Sequence, residues 1–181
     1  VVSRARDALE SKEAISIGYV GNIVDLLERL ETEDLIPDLC SDQTSLHNPW
    51  LGGYTPRGLS YEEADEMISE DPIQFRKMVK ETLVEHGAVI NRLSNKGMKF
   101  WDYGNAFLLE SSRAGADVGT DGNFHYPSYV EDIMGPICFD YGFGPFRWVC
   151  SSGLDSDLAV TDKIAMDVLG DQLANAPDEI K

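Results

Sequence analysis

The sequence predicts an α/β fold: a parallel sheet flanked by helices, with helical insertions. Three observations carry this. Short apolar runs alternate with stretches of helical period. The joints between them are short. The apolar runs close on loops rich in glycine, asparagine and aspartate. Helix, strand, helix and strand in succession imply right-handed crossovers and hence parallel strands.

The elements follow in order. Residues 2–11 read as the end of a helix that began before this chain starts. Ala8 and Leu9 fit its apolar face, and Arg4, Arg6, Glu10 and Lys12 its solvent face. Residues 14–20 read as a strand bounded by Gly21-Asn22. Asn22 is placed to cap a helix in which Ile23, Leu26, Leu27 and Leu30 keep the 3.6 period. Residues 35–40 read as the second strand. Residues 52–58 form a loop, and Ser60 with Glu63 makes a capping-box start for a helix to Ser69. Asp71-Pro72 opens a long helix, because proline suits the first helical position, and Asn95-Lys96-Gly97 closes it. Residues 98–101 are a third strand, 106–114 a short helix and 115–123 a loop. Residues 127–134 read as helix, 143–150 as irregular or strand, and 158–172 as an amphipathic helix.

At 181 residues the chain fits one domain, or one large domain plus an appendage, with 43% hydrophobic and 9% aromatic residues to fill a core. Neither end reads as a signal peptide, and no apolar run is long enough to span a membrane. The net charge of −17 argues against nucleic acid and anionic membrane as partners. It fits a solvated acidic face or a cationic partner. Cys40, Cys138 and Cys150 are widely spaced beside apolar neighbours, which favours core positions in a reducing compartment over a disulfide framework. No histidine or cysteine pair has metal-ligand spacing, so no metal is expected.

Chemistry is expected where the strands end. Asp42-Gln43-Thr44-Ser45-Leu46-His47-Asn48-Pro49 crowds polar side chains into one turn, and loops at carboxyl ends of parallel strands bind ligands. Gly21-Asn22 and residues 102–105 would open on the same crevice. Helix starts after Gly21 and Gly104 would aim free amides at it, which suits a pyrophosphate. The G-x-G-x-x-G pattern is absent. Asn48 and Asp42 are placed to orient His47. His86 reads as a packing or surface residue of its helix, and His125 as a loop residue. Arg147 sits between Phe146 and Trp148, where it either grips a substrate carboxylate or pairs with one of the many acids.

Five motifs in order resemble the urocanase family. They are Ile17-Gly18-Tyr19-Val20-Gly21-Asn22, residues 41–49, Gly52-Gly53-Tyr54, Phe100-Trp101-Asp102-Tyr103-Gly104-Asn105-Ala106 and Gly142-Phe143-Gly144-Pro145-Phe146-Arg147-Trp148. Residues 111–118 and 126–130 extend the match, so the resemblance covers nearly the whole chain. It implies a Rossmann-like domain over residues 1–181 that lacks its first strand and flanking domains. It implies hydration of urocanate to 4-imidazolone-5-propanoate in histidine degradation, with NAD+ as electrophile instead of hydride carrier.

By position, the resemblance assigns NAD+ contacts to Asn22, Ile23, Gln43, Thr44, Ser45, Leu46, His47, Tyr54, Thr55 and Tyr103, and the urocanate carboxylate to Arg147. Whole urocanases are much longer. The family's glycine-rich phosphate turn lies upstream of this chain and its active-site cysteine downstream, and neither Cys138 nor Cys150 takes that cysteine's place. No catalytic residue is therefore expected within the chain, and no activity from it alone. A cytoplasmic homodimer is expected of the complete enzyme. A stand-alone NAD-binding or structural module without hydratase activity is the alternative.

Overall fold

The computed structural model describes residues 1–44, 46–142, 144 and 150–178. Packing divides the chain into two compact units, Val1–Tyr129 and Val130–Lys181.

The first unit is built around helix α4 (Pro72–Asn95). Its apolar face carries Phe75, Val79, Leu83, Val89, Ile90 and Leu93 at helical spacing, all fully buried. Asp71 caps it by accepting the Gln74 N–H at 3.0 Å, and Pro72 occupies the first turn, as expected. Helices α2 (Ile23–Thr32), α3 (Tyr61–Glu70) and α5 (Phe107–Ala114) pack on α4. The capping box of α3 forms as the sequence predicts. Glu63 N–H donates to the Ser60 hydroxyl and Ser60 N–H to the Glu63 carboxylate. Helix α1 (Val2–Ser11) stands where expected.

Gly87 of α4 is a packing requirement. A Cβ there would lie 2.9 Å from Ala116 Cβ and 3.1 Å from Val118 Cγ1, so only glycine lets the chain after α5 approach the helix this closely.

Strands β1 (Leu39–Asp42) and β2 (Lys99–Asp102) pair in parallel, in register from Leu39 opposite Lys99 to Asp42 opposite Asp102. Both start and end later than the apolar runs predicted. Pro37 has no N–H to donate to a ladder, and pairing begins only after Lys99 N–H reaches the Asp38 carbonyl at 2.9 Å. A bridge from Asp102 to Ser128 adds a further parallel contact.

The strand expected at residues 14–20 does not form. The segment is largely exposed and outside any strand. Its alternation suits a sheet, but a strand exists only where a neighbour completes its hydrogen bonds. The loop expected at 115–123 contains a hairpin, β3 (Gly119–Thr120) with β4 (Asn123–Phe124), closed by Asp121-Gly122. That dipeptide is a strong hairpin signal.

In the second unit, Tyr129–Met134 forms a π-helical turn that begins at the last residue of the first unit, in place of the α-helix expected at 127–134. Short helix α6 (Gly135–Ile137) follows, then α7 (Asp155–Asn175). Helix α7 covers the expected 158–172 and extends three residues beyond it at each end, but it is not amphipathic. Val160, Ile164, Met166, Val168 and Leu173 spread around it and all are exposed. The reading of 143–150 lies mostly outside the described residues.

Candidate functional site

Each of the two parallel strands ends in a buried aspartate. Asp42 is 6% exposed and Asp102 5%. Asp42 accepts the Thr44 N–H at 2.9 Å and the Thr44 hydroxyl at 3.1 Å. Asp102 accepts three backbone N–H groups: Gly104 at 2.7 Å, Asn105 at 3.2 Å and Leu108 at 2.9 Å. These bonds make the carboxylates turn the chain out of the sheet and into its loops. The second loop is strained. Gly104 has φ 93°, and Ala106 has φ 66°, a left-handed conformation that alanine adopts only when its surroundings impose it.

The two loops are tied together. Tyr103 N–H donates to the Asp42 carbonyl at 3.2 Å, Leu46 N–H to the Asn105 carbonyl at 3.0 Å, and the Asn105 carboxamide to the Gln43 carbonyl at 2.8 Å. Burial pushes the Asp42 carboxyl up to about 6, against the pull of its bonds to Thr44, and the nearby Asp102 charge adds to the rise.

Beneath the loops lies a buried polar pair. The Tyr54 hydroxyl and His86 Nδ1 share a 3.1 Å hydrogen bond, and Phe107 packs against the imidazole with centroids 4.6 Å apart. Burial holds both groups neutral. It pushes the Tyr54 phenol well above its ordinary value and His86 down to about 3. Of the two expectations for His86, surface or packing, the structure takes the second, with the residue 1% exposed. Its partner was not legible, because Tyr54 lies in a loop 32 residues away.

A cleft of about 580 Å³ opens beside the first loop, within the range of small-molecule sites. Two helix starts line it: Asn22 and Ile23 of α2, and Ser60, Tyr61 and Glu62 of α3. Thr44, Tyr54 and Thr55 also line it. Asn22 caps α2 by accepting the Val24 N–H at 2.9 Å and donates to the Thr55 carbonyl at 3.2 Å. Asp25 in the first turn of α2 is held by Arg57 at 2.6 Å, whereas Glu62 faces the cleft at the start of α3. An anionic group is therefore better received at α2. The hydroxyls, the carboxamide and the α2 start line this cleft with polar groups.

Arg57 ties α2, whose start lines this cleft, to α4. Its guanidinium reaches Asp25 and Glu28 of α2, each at 2.6 Å, and Glu85 of α4 at 3.2 Å. Glu28 contributes most to keeping it firmly protonated. Arg92 and Lys96 continue the row against Glu31, and the Arg92 bond holds the Glu31 carboxyl below its ordinary range. Part of the acidic excess is thus used internally.

The residues predicted to bind cofactor or substrate divide four ways. Asn22, Ile23, Thr44, Tyr54 and Thr55 line the cleft. Gln43 and His47 are exposed nearby in sequence, and Tyr103 stacks on Tyr129 at 4.9 Å with planes 7° apart. Leu46 has its side chain fully in the core, so only its backbone faces the loop. Ser45 and Arg147 lie outside the described residues. Sequence reasoning missed Asp42, Asp102 and Asn105 as the residues that build the loops. Aspartate two residues before a glycine or threonine at a strand end was the available signal. Cys40, Cys138 and Cys150 are free and half-buried, and burial pushes the Cys40 thiol up to about 11.

Comparison with known proteins places the chain. A family model described as the urocanase Rossmann-like domain matches residues 1–133, and one described as the urocanase C-terminal domain matches residues 136–178. The chain is 54% identical over 183 residues, 96% of its length, to a urocanate hydratase of Mus musculus. It is 51% identical over 189 residues, 100% of its length, to a probable urocanate hydratase of Caenorhabditis elegans, and 56% over 165 residues, 88% of its length, to one of Dictyostelium discoideum. It covers 27%, 28% and 24% of these relatives, about a quarter of their length. With the Rossmann-like model spanning most of its residues, the chain belongs to the urocanase family.

Proposed function

We propose that this chain is the cofactor-holding part of a urocanate hydratase, which adds water to urocanate to give 4-imidazolone-5-propanoate in histidine degradation. The observation that carries the reading is identity of 51–56% to proteins of that name over 88–100% of the chain. NAD+ is the cofactor in this reading, and when bound it supplies the electrophile toward the electron-rich imidazole of the substrate. Asn22, Thr44 and Thr55 orient its polar groups, the α2 start at Ile23 receives its phosphates, and Tyr54 fixes the wall between them. Gln43, Ser45, Leu46, His47 and Tyr103 complete the cofactor surface from the sheet-end loops. Arg147 grips the urocanate carboxylate. The reacting centre also needs segments beyond these residues, so the chain alone is expected to be inactive.

We infer further a cytoplasmic homodimer for the complete enzyme, and the net charge of −17 argues against nucleic acid and anionic membrane as partners. Among the described residues, no helix is long and apolar enough to cross a membrane. The test is made on the full-length protein. NAD+ is released by denaturation and identified by absorbance and mass, and urocanate consumption is followed by its ultraviolet absorbance. Cofactor at one per chain with loss of urocanate is expected. Cofactor without turnover would leave a binding module, and absence of both would overturn the reading.

A further inference from the structure

We propose that Asn105 is a positioning residue for the cofactor loop, acting as a clamp between the two sheet-end loops. The inference rests on the reading of that loop as an NAD+ surface. Every polar group of Asn105 for which a bond is described is committed to loop geometry. Its N–H donates to Asp102 at 3.2 Å, its carboxamide N–H to the Gln43 carbonyl at 2.8 Å, and its carbonyl accepts the Leu46 N–H at 3.0 Å. It thereby grips both ends, Gln43 and Leu46, of a segment 62 residues away in the chain.

Asn105 does not line the cleft, so it reaches the cofactor only through the residues it holds. Its own backbone is fixed from below by Asp102, which also accepts Gly104 and Leu108. On the other side Thr44 lies between the two clamped ends, bonded to Asp42, and lines the cleft. The clamp therefore sets how a cleft residue is presented. Only the Gln43 half depends on the side chain, because the Leu46 bond is made by backbone.

The experiment uses the full-length protein with Asn105→Ala, Asn105→Asp and, as control, Asn91→Ala. Asn91 is a clamp of the same chemistry elsewhere: it donates to the Asp117 carbonyl at 2.6 Å and accepts the Tyr126 hydroxyl at 2.6 Å. NAD+ affinity is measured by titration of stripped protein, and loop protection by hydrogen exchange. Both Asn105 variants are expected to bind NAD+ about tenfold more weakly, as one lost hydrogen bond would give. The loop peptide containing Leu46 should exchange faster. Asn105→Asp keeps the side-chain shape, so it serves if the alanine variant fails to fold, and its carboxylate opposes the Gln43 carbonyl. Asn91→Ala should lower thermal stability and leave NAD+ affinity unchanged.

Wild-type affinity in both Asn105 variants, or an equal fall in Asn91→Ala, overturns the proposal. If the unaltered protein takes up no NAD+, the cofactor reading itself fails. The clamp is then judged by exchange alone: faster exchange in Asn105→Ala keeps it, and unchanged exchange removes it.

Discussion

Asp42 and Asp102 stand opposite each other at the last position of two parallel strands, both buried. Together they accept five hydrogen bonds from the segments that follow them: two from Thr44 on Asp42, and one each from Gly104, Asn105 and Leu108, the last in α5, on Asp102. Two like charges this close to each other and to the core are unfavourable unless such donors surround them. The sheet therefore ends where the backbone can turn onto a carboxylate, and the candidate site begins there.

Asp42→Asn is expected to stabilise the full-length protein at neutral pH. The folded carboxyl is pushed up to about 6, above the value of about 3.9 for an unfolded aspartate. The folded state thus binds this proton more tightly than the unfolded one. Stability from this group is greatest below pH 4, falls as the pH rises to 6, and is flat above. Asparagine keeps an oxygen for the Thr44 N–H and removes the buried charge. A gain on the order of 1–3 kcal/mol is expected at pH 7.5, shrinking toward zero near pH 4. Urea denaturation across that range decides it, and a gap that ignores pH would refute the assignment.

Asp102→Ala should be costly in the opposite direction. It strips the acceptor from three N–H groups, of which the one on Leu108 lies in a buried bond. It also frees the left-handed Ala106 from the loop that holds it. A loss on the order of 2–4 kcal/mol is expected, with Asp102→Asn losing less because one oxygen remains. Denaturation midpoints for both variants are the measurement. Two variants within 0.5 kcal/mol of wild type, on the order of an inconsequential surface change, would remove Asp102 from this role.

The helices were legible because they declare themselves locally. Asn22, the Ser60 and Glu63 pair, and Asp71-Pro72 mark their starts through bonds within a few residues. The strands were less so. Their ends were fixed by pairing between residues 60 apart, as Leu39 with Lys99, and the alternation at 14–20 finds no such partner among the described residues. For the candidate site, the polar loop was visible as composition. The Asn105 bond to Gln43, the Arg57 hub and the Tyr54 bond to His86 all join residues 28 or more apart. No local pattern reports such contacts.

Gly87→Ala tests the packing of α4 against the chain after α5. Alanine is favoured in a helix interior by about 1 kcal/mol over glycine. Here the added methyl would sit 2.9 Å from Ala116 Cβ. That atom is attached directly to backbone and cannot swing aside, so relief requires a shift of the segment itself. Overpacking of this kind costs about 1–3 kcal/mol, and the net change is expected to be destabilising. A raised melting temperature would show that the segment yields more easily than its geometry suggests.

The last prediction concerns Tyr54 and His86, read through a double-mutant cycle and its pH dependence. Tyr54→Phe leaves the buried His86 Nδ1 without its 3.1 Å partner, and His86→Leu leaves the Tyr54 hydroxyl without one. Each single change strands a buried polar group, at a cost of about 1–3 kcal/mol. The double variant strands neither. Its loss should therefore fall short of the sum of the singles by about 1–2 kcal/mol. The pH arm has the opposite sign to that of Asp42. His86 is pushed down to about 3 by burial, whereas an unfolded histidine takes a proton near 6.5. Its contribution to stability is full above pH 6.5 and is lost as the pH falls from there toward 3. His86→Leu removes that acid sensitivity, so the gap between wild type and variant should be wide at pH 8 and narrower at pH 5. Additive losses would mean that the two groups do not hold each other, and a gap constant from pH 8 to 5 would mean that His86 accepts a proton in the folded state.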